Sequence, residues 1–479
     1  MKDFKNIPKE VKEIVDRVLA SIIYSTDRTL IYKDPKKNFT RARKLPVIEL
    51  FNLLLSRGAE SLSKCLSNEF GPGKKRAGKS ALVQQQAKFK VEFFEYFYKK
   101  LKDELACIKL FKQKYRLLAV DGSTFCVPCK DADCFNNTSK PHGKKGKDLY
   151  TIHLNTVYDV LTEMFEDIII DTGKDVDEQA ALLEMSEKLD NKTHPLIIVA
   201  DRGYASYNTI AQLDRLGLYY VIRVKDITSD TSLAKTWWYK YYRGPENRAG
   251  EITVTVRFTR VGGKKVSSKE NFKLLSPTTK FDLLPDDNPF DSDIEPEDIP
   301  EKYYHDITFR LVRIKINKKG EKDKEEFEML ITNLPADIFP ARELKTIYHL
   351  RWGLEGAYRE LKYDEKAIFF HSKKKEFILE ELYLSISLHN IVAYICAIAG
   401  KNLLSIKGQS SRKKLKHEYA INHSKASETI REYLSLRSES TSEHIMEELV
   451  REMEIIRKKR KFDRKLVPKG VIPFTYRSA

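Results

Sequence analysis

The stretch Tyr348–Lys362 reads YHLRWGLEGAYRELK, and the rest of the chain can be interpreted around it. At about 100° of turn per residue, a helix here brings four polar side chains into one narrow stripe, namely Tyr348, Arg351, Glu355 and Lys362. The apolar residues fall on the opposite side, so one face can be buried while the other presents a hydroxyl, a carboxylate and two cations. Charged stripes are also common on solvated amphipathic helices, so the spacing alone leaves an ordinary surface helix open.

Upstream, two aspartates each follow a short aliphatic run. Leu117–Val120 (LLAV) precedes Asp121, and Leu196–Ala200 (LIIVA) precedes Asp201. Such runs are typical of strands buried on both faces, and an aspartate just past such a strand lies at the sheet edge, where open α/β sheets place their sites. We therefore expect the two aspartates and Glu355 to converge on one point.

Three converging carboxylates repel one another unless cations neutralise them. Hard oxygen ligands suit Mg²⁺ or Mn²⁺. Two such ions about 3.5–4 Å apart stabilise the attacking and leaving oxygens of an in-line phosphoryl displacement. The acids therefore predict a site for two divalent ions.

The order of the three acids, with Y-x2-R-x3-E-x6-K around the last one, resembles the insertion-sequence-four family of DDE transposases. The four polar residues of the stripe match that signature at every spacing. DGSTF around Asp121 and DRGYASYNTI around Asp201 are similar to the two aspartate motifs of the family. The resemblance extends from about Phe39 to about Ile391.

This resemblance implies a DNA transposase that binds transposon ends, cleaves them by two-metal phosphoryl transfer through a hairpin, and joins them to target DNA. The three acids would hold two Mg²⁺ or Mn²⁺ ions per active site. Tyr348 and Arg351 would hold phosphates near the scissile bond, and Lys362 would add a further DNA contact. The implied partners are double-stranded DNA and a second copy of the chain in a synaptic complex. Two alternatives remain open: an inactive transposase-derived DNA-binding protein, and a metal-dependent nuclease that does not join strands.

The composition agrees with a nucleic-acid partner without proving one. The chain has 86 Lys and Arg against 69 Asp and Glu, a formal net charge of +17, which favours a polyanion but is also compatible with a merely basic protein. No apolar run approaches the roughly 18–20 residues that span a bilayer, and the N-terminus lacks a signal-peptide segment. We expect no membrane association, and a location in the cytoplasm at the nucleoid if the protein is bacterial or in the nucleus if it is eukaryotic.

The length of 479 residues exceeds one ordinary core, and strand-like and helical patterns divide the chain. With the resemblance, they predict an α/β fold whose RNase H-like catalytic core is interrupted by a β-rich insertion and flanked by helical regions. The predicted regions are 1–110 (helical, DNA-binding), 111–225 (first part of the core), 226–340 (insertion), 341–400 (second part of the core) and 401–479 (basic, for DNA binding or dimerisation). The 154 positions from Asp201 to Glu355 are too many for a simple connection, which supports the insertion.

Further DNA contacts are predicted in two basic loops and one aromatic cluster. The basic candidates for phosphate contacts are Arg41, Arg43, Lys44, Lys74, Lys75 and Arg76. Each of them could equally belong to a solvated loop. Trp237 and Trp238 are candidates for stacking on a flipped base, as the resemblance implies, although an ordinary role in the core is favoured for any single ring.

A loop after the first aspartate carries cysteines with spacings that occur in zinc sites. Cys126, Cys129 and Cys134 form C-x2-C-x4-C, and His142 follows. Such an arrangement could hold zinc, but the missing second close pair makes the pattern weak.

Overall fold

A computed structural model of the chain describes residues 4–41, 44–70, 77–105, 109–128, 138–139, 149–173, 176–245, 248–316, 326–401, 419–435 and 438–455. Helices precede the first strand, and their bounds are α1 (Ile7–Ser25), α2 (Arg28–Ile31), α3 (Val47–Ser56), α4 (Leu62–Phe70), α5 (Lys79–Gln86) and α6 (Val91–Glu104). Pro8 lies in the first turn of α1, where a missing N–H has no helical partner to lose. The side chain of Asp27 accepts a hydrogen bond from the backbone of Thr29 and so caps α2.

The middle of the chain alternates strands and helices. Its elements are β1 (Arg116–Val127), β2 (Thr138–Ser139), β3 (Leu149–Asp159), β4 (Met164–Asp171), α7 (Glu178–Ser186), β5 (Leu196–Ala200), α8 (Tyr207–Arg215) and β6 (Tyr219–Val224). β1 pairs antiparallel with β3 and parallel with β5, β3 pairs antiparallel with β4, and β5 pairs parallel with β6. These strands therefore lie in the order β4-β3-β1-β5-β6.

The next segment continues the same sheet. It contains α9 (Lys235–Tyr241), β7 (Gly250–Thr259), α10 (Lys264–Ser268), β8 (Phe272–Leu274), β9 (Tyr304–Ile316) and β10 (Glu326–Thr332). β10 pairs antiparallel with β6, and the order beyond it is β9-β7-β8, so the described strands make one ten-stranded mixed sheet. The strands predicted for an insertion thus extend the central sheet, and the domain boundaries stay a prediction.

The last part of the described chain is helical apart from one short ribbon. Its elements are α11 (Ala341–Leu350), α12 (Trp352–Tyr363), α13 (Lys375–Lys401), β11 (Tyr419–Ile421), α14 (His423–Leu434), α15 (Ser442–Arg451) and β12 (Met453–Ile455). α13 packs against α6, α3 and α14, and one hydrophobic core joins residues of the N-terminal helices, α13 and the C-terminal helices. The first and last helices of the described residues therefore share a core with α13.

α13 is the one helix of the described residues that is long and apolar enough to cross a membrane. The helix contains no uninterrupted apolar run of roughly 18–20 residues, because polar residues such as Ser387 and Asn390 divide it. Of its most apolar window, 72% is buried inside the protein, and buried polar residues such as Glu380 and His389 lie on the helix. It is a central helix of the hydrophobic core.

Two local predictions differ from the structure. Asp121 was expected just past a strand, but it lies within β1, because β1 stays paired with β3 as far as Val127. β5 ends at Ala200, opposite Val120, so Asp121 is where β1 loses its parallel neighbour. The predicted continuous signature helix is divided at Arg351, where α11 ends and α12 begins.

The indoles of Trp237 and Trp238 are buried, with exposed fractions of 2% and 1%. The Trp237 indole N–H donates a hydrogen bond to the hydroxyl of Tyr207 (3.1 Å), and Trp238 stacks on Tyr242 at 4.3 Å between ring centres. Burial of this kind favours the core role over contact with DNA. The assignment to DNA stays a prediction that can be tested directly.

Replacing Trp237 with alanine should lower the free energy of unfolding by about 3–5 kcal/mol, because a large buried ring is lost and a cavity is left. Tyr239 lies on the same helix and is 46% exposed, so Tyr239→Ala should change it by about 0.5 kcal/mol or less. Urea denaturation followed by circular dichroism measures both. A Trp237→Ala protein of unchanged stability with weakened DNA binding would instead make this ring a DNA contact.

Candidate active site

The three predicted acids come from three separate elements. Asp121 lies on β1, Asp201 directly follows β5, and Glu355 lies in the first turn of α12. Val120 on β1 and Ala200 on β5 are paired in parallel register, and neighbouring strands lie about 4.8 Å apart. Asp121 and Asp201 directly follow these two residues. The two strands therefore deliver both aspartates to the same end of the sheet.

Two residues of the signature connect α11 and α12 to the aspartates. The Tyr348 hydroxyl donates a hydrogen bond to Asp201 Oδ1 at 3.0 Å. Arg351 donates from Nη1 to Asp121 Oδ2 at 3.4 Å and from Nη2 to Glu355 Oε1 at 3.1 Å. The signature helix is thus held against both strands, and the structure brings all three acids into one hydrogen-bonded group.

Arg351 is not the surface cation that a solvated stripe predicts. Its side chain is 5% exposed, whereas those of Asp121, Glu355 and Asp201 are 28%, 35% and 37% exposed. At the junction of the helices the hydrogen bonds span three residues, from Arg351 to Tyr348 and from Leu354 to Arg351, as in a tightened turn. The guanidinium therefore lies beneath a layer of carboxylates that remain accessible to solvent.

The two aspartates have opposite electrostatic environments. Burial raises the pKa of Asp121 to about 6, although the N–H of Gly122 and the charge of Arg351 oppose this effect. Burial also acts to raise the pKa of Asp201, but hydrogen bonds from the Arg202 backbone and the Tyr348 hydroxyl lower it overall. Asp121 is thus the acid that gains most from a nearby cation.

Tyr348 acts in this group as a hydrogen-bond donor. Burial, together with the charge of Asp201, raises the pKa of Tyr348 to about 12. The hydroxyl therefore keeps its proton at neutral pH and orients the Asp201 carboxylate.

Lys362 lies alongside β1 rather than in open solvent. Its ammonium donates hydrogen bonds to Ser123 Oγ (2.8 Å) and to the Thr124 carbonyl (3.1 Å), and it lies 4.6 Å from the centre of the Phe125 ring. Burial lowers the pKa of Lys362. The last residue of the signature thus fixes the end of α12 to the strand that carries Asp121.

Tyr358 is a residue of the site that the sequence analysis missed. Its hydroxyl is 2.7 Å from the Asp121 carbonyl, to which it donates, and 2.8 Å from Thr156 Oγ1 on β3. The side chain is only 6% exposed. Its position three residues after Glu355 was a signal that could have found it, because residues three apart on a helix are neighbours.

His153 and Glu178 form a second missed pair. His153 Nε2 on β3 lies 3.0 Å from Glu178 Oε1 at the start of α7. A Cβ atom at Gly122 would come within 2.2 Å of the histidine and 2.5 Å of the glutamate, so any larger residue after Asp121 would displace the ends of these two side chains. Glu178 adds a further negative charge that raises the pKa of Asp121. The glycine of the DGS motif could have signalled this close approach.

The other predicted DNA contacts are placed only in part. Arg41 and Lys44 are exposed on the surface before α3. The candidates outside the described residues are Arg43, Lys74, Lys75 and Arg76. Of the proposed zinc loop, Cys126 lies half-buried on β1, and Cys129, Cys134 and His142 lie outside the described residues.

The donor set of the three acids fits hard divalent cations. The carboxylates of all three acids are partly exposed and offer the oxygen ligands that Mg²⁺ and Mn²⁺ prefer. In this structure the carboxylates of Asp121 and Glu355 contact the Arg351 guanidinium, and Asp201 lies 3.9 Å from that of Arg223. Asp121, Asp201 and Glu355 are therefore suitable ligands.

Comparison with known proteins places the chain in a class. The profile of the family described as "Transposase DDE domain" matches residues 112–391, more than half of the chain, and the protein belongs to this family. No curated protein matches the chain. Among solved structures it is similar to a piggyBac transposase in a synaptic complex with hairpin DNA, at 11% identity and a TM-score of 0.43, covering 93% of this chain and 84% of that one.

The electrostatic contrast between the aspartates predicts opposite effects of neutralising them in metal-free protein. The pKa of Asp121 in the folded protein is about 6, above its ordinary 3.8. The protonated carboxyl therefore stabilises the fold fully below pH 3.8, and this contribution is lost as the pH rises through about 6. Asparagine at this position cannot ionise, so Asp121→Asn does not lose it. We expect it to raise the free energy of unfolding at pH 7 by about 1–3 kcal/mol, with the gain shrinking towards pH 4.

Asp201→Asn is the matched control for this prediction. The lowered pKa of Asp201 means that its carboxylate stabilises the folded protein above pH 3.8, so this variant should be less stable than the wild type at pH 7. Urea denaturation with a chelator, repeated from pH 7 to pH 4, measures both. Destabilisation of both variants at pH 7 would contradict the assigned environment of Asp121.

Proposed function

We propose that this protein is a DNA transposase that cuts transposon ends and joins them to target DNA, with Asp121, Asp201 and Glu355 as its catalytic acids. The proposal depends mainly on the hydrogen bonds of 3.0–3.4 Å through which Tyr348 and Arg351 contact the three acids. Membership of the DDE transposase family supports the assignment. The spacing of Tyr348, Arg351, Glu355 and Lys362 supports the narrower placement in the insertion-sequence-four family.

In this proposal each residue has a defined task. The three acids hold two Mg²⁺ or Mn²⁺ ions, and these ions supply activation of the attacking oxygen and stabilisation of the leaving oxygen in phosphoryl transfer. Tyr348 orients Asp201 through its hydroxyl. Arg351 limits the repulsion between Asp121 and Glu355 from beneath, so the carboxylates keep their positions before cations and DNA arrive.

The strand order supports an RNase H-like core. An antiparallel β4-β3-β1 unit continues into parallel β5 and β6, and the acids follow from β1, β5 and a later helix. In this interpretation the segment between β6 and α11 is the β-rich insertion, joined edge to edge with the core sheet through β10.

DNA is the proposed partner, and a homodimer in a synaptic complex is the proposed assembly. The formal net charge of +17 favours backbone contacts, with Arg41, Arg43, Lys44, Lys74, Lys75 and Arg76 as candidates in the N-terminal region. Lys362 fixes the end of α12 to β1 through its hydrogen bonds to Ser123 and Thr124.

For stacking on an extruded base we propose Trp352 in place of Trp237 and Trp238. Trp352 directly follows Arg351, is 47% exposed, and its ring lies 5.6 Å from the guanidinium carbon of Arg351. An exposed indole beside the acids can stack on a base of any identity. The two buried indoles offer no open face.

Replacement of each acid tests the catalytic assignment. Asp121→Ala, Asp201→Ala and Glu355→Ala should each abolish cleavage of labelled DNA that carries the ends of the element, because an ion ligand is lost, while gel-shift binding of uncut ends stays within a few-fold. Glu184→Ala removes an exposed carboxylate on α7 and serves as the control. A fully active Glu355→Ala protein would remove the proposed mechanism.

The same assay separates the alternatives. Pre-cut ends incubated with target DNA and Mg²⁺ should give joined products. A nuclease would cut without joining, and an inactive DNA-binding protein would do neither.

Trp352→Ala should reduce the conversion of nicked ends to hairpins by about 10-fold or more while the first nick is little affected, because a stacked base is worth about 1–3 kcal/mol. Trp352→Phe should keep part of the activity. Tyr239→Ala, an exposed aromatic on α9, serves as the control. Denaturing gels resolve nicked and hairpin products, and an equal loss of both products in Trp352→Ala would contradict the stacking role.

A further inference from the structure

A second cluster of ligating side chains lies where the end of α12 meets α13 and the start of α14. Glu360, His389 and His423 each place one potential ligand atom within 4.8 Å of the others. His423 Nε2 is 3.8 Å from Glu360 Oε2. Glu365 lies between the two imidazoles, 3.9 Å from His389 Nδ1 and 3.8 Å from His423 Nδ1. No step of the proposed DNA chemistry uses these residues.

The cluster contains buried polar atoms without hydrogen bonds. The Glu365 side chain is fully buried, and neither of its oxygens has a hydrogen-bond partner. The same holds for Nδ1 of His389, whose side chain is 1% exposed. His423 Nδ1 lies 3.6 Å from Asp364 Oδ2 and 3.8 Å from Glu365 Oε1, just beyond hydrogen-bond distance. Buried carboxylates and imidazoles without partners are rare in folded proteins, because each forfeits its interactions with water. A cation bound among them would satisfy several of these atoms at once.

His389 is oriented as a metal ligand would be. Its Nε2 lies 3.2 Å from the carbonyl oxygen of Glu163, which can only accept, so Nε2 carries the proton and donates. Nδ1 then faces Glu365. A ligating histidine usually donates its other N–H to a carbonyl or carboxylate, which fixes the tautomer and the ring. The Phe165 ring, 4.8 Å away between centres, holds the imidazole in place.

We propose that Glu360, His389 and His423 form a zinc site that joins α12, α13 and α14. Two imidazoles and one carboxylate suit Zn²⁺, whereas Mg²⁺ prefers oxygen ligands alone. Bonds of about 2.0–2.1 Å in a tetrahedron place ligand atoms about 3.4 Å apart. One ligand atom of each residue lies within 4.8 Å of the others, and His423 Nε2 lies 3.8 Å from Glu360 Oε2, so side-chain rotations close the remaining gap.

The position of the site indicates a structural role. Glu360 lies on α12 between Glu355 and Lys362, and His423 is the first residue of α14, after residues 402–418, which lie outside the described part. Zinc would therefore fix the C-terminal helices against the helix that carries the third acid. The site stands independently of the proposed DNA chemistry.

The test measures metal in the untagged full-length protein. After dialysis, elemental analysis should find about one zinc per wild-type chain and almost none in the His389→Ala/His423→Ala double variant. His444→Ala removes an exposed histidine on α15 and should keep the metal. Asp121→Asn/Glu355→Gln should also keep it while losing cleavage, which separates failure of this proposal from failure of the catalytic one.

The cysteine loop is the competing source of zinc. Cys129→Ser/Cys134→Ser should retain zinc, and X-ray absorption should show nitrogen and oxygen neighbours without sulfur. Loss of zinc in this variant, or a sulfur shell, would overturn the proposal.

A measurement without substitutions guards against a variant that fails to fold. Addition of Zn²⁺ to chelator-stripped wild-type protein that has first been saturated with Mg²⁺ at the three acids should raise Tm by several degrees, whereas the same further amount of Mg²⁺ should not. Absence of zinc from the purified wild type, with no response of Tm to Zn²⁺, would overturn the proposal. The cluster would then be a group of ion pairs between protonated histidines and carboxylates.

Discussion

The buried guanidinium of Arg351 is the interaction on which the arrangement of the acids depends. It bridges Asp121 on a strand and Glu355 on a helix that are 234 positions apart in the sequence. Without a cation at this point, two partly buried carboxylates would lie close together without a compensating charge; burial raises the pKa of Asp121, and the charge of Arg351 opposes that rise. The break between α11 and α12 falls at this residue, so the local geometry of the helix follows the electrostatic requirement.

The sheet explains why acids so distant in the chain can meet. β1 is the strand that turns the sheet from antiparallel to parallel pairing, since its neighbours are β3 on one side and β5 on the other. Asp121 lies where the shorter β5 ends, which leaves room for a helix to approach the exposed edge. Tyr348, Arg351 and Lys362 fill that room, each with a polar contact to β1 or to the end of β5.

The sequence predicted the parts of this structure that depend on local pattern. Leu196–Ala200 is predicted as a strand because five consecutive aliphatic residues are typical of strands buried on both faces. The structure confirms this strand as β5. The stripe of the signature predicted which side chains share a face. The pattern could not show that Arg351 is buried, because its burial depends on the strands against which α11 and α12 pack.

The same limit applies to the residues that were missed. His153 reaches the site through the register of β3 beside β1, and Glu178 reaches it through the packing of α7; the sequence signals this approach only through Gly122. Tyr358 shares α12 with Glu355, but its contacts with Asp121 and Thr156 depend on how that helix packs on the sheet. The aromatic cluster was predicted from its composition, which could not show burial. Adjacent tryptophans suggest stacking on a base, but both Trp237 and Trp238 are buried in the core.

α12 connects the two polar clusters of the molecule. Glu355 and Glu360 are five residues apart, so at about 100° per residue their side chains point about 140° away from each other. One faces Arg351 and the strands, and the other faces the imidazoles of α13 and α14. A single helix is therefore held by polar contacts on both sides, and its apolar residues Leu354, Ala357 and Leu361 are fully buried between these contacts. Displacement of the C-terminal helices would act on Glu355 through this one rigid element, with no need for a contact between those helices and the acids.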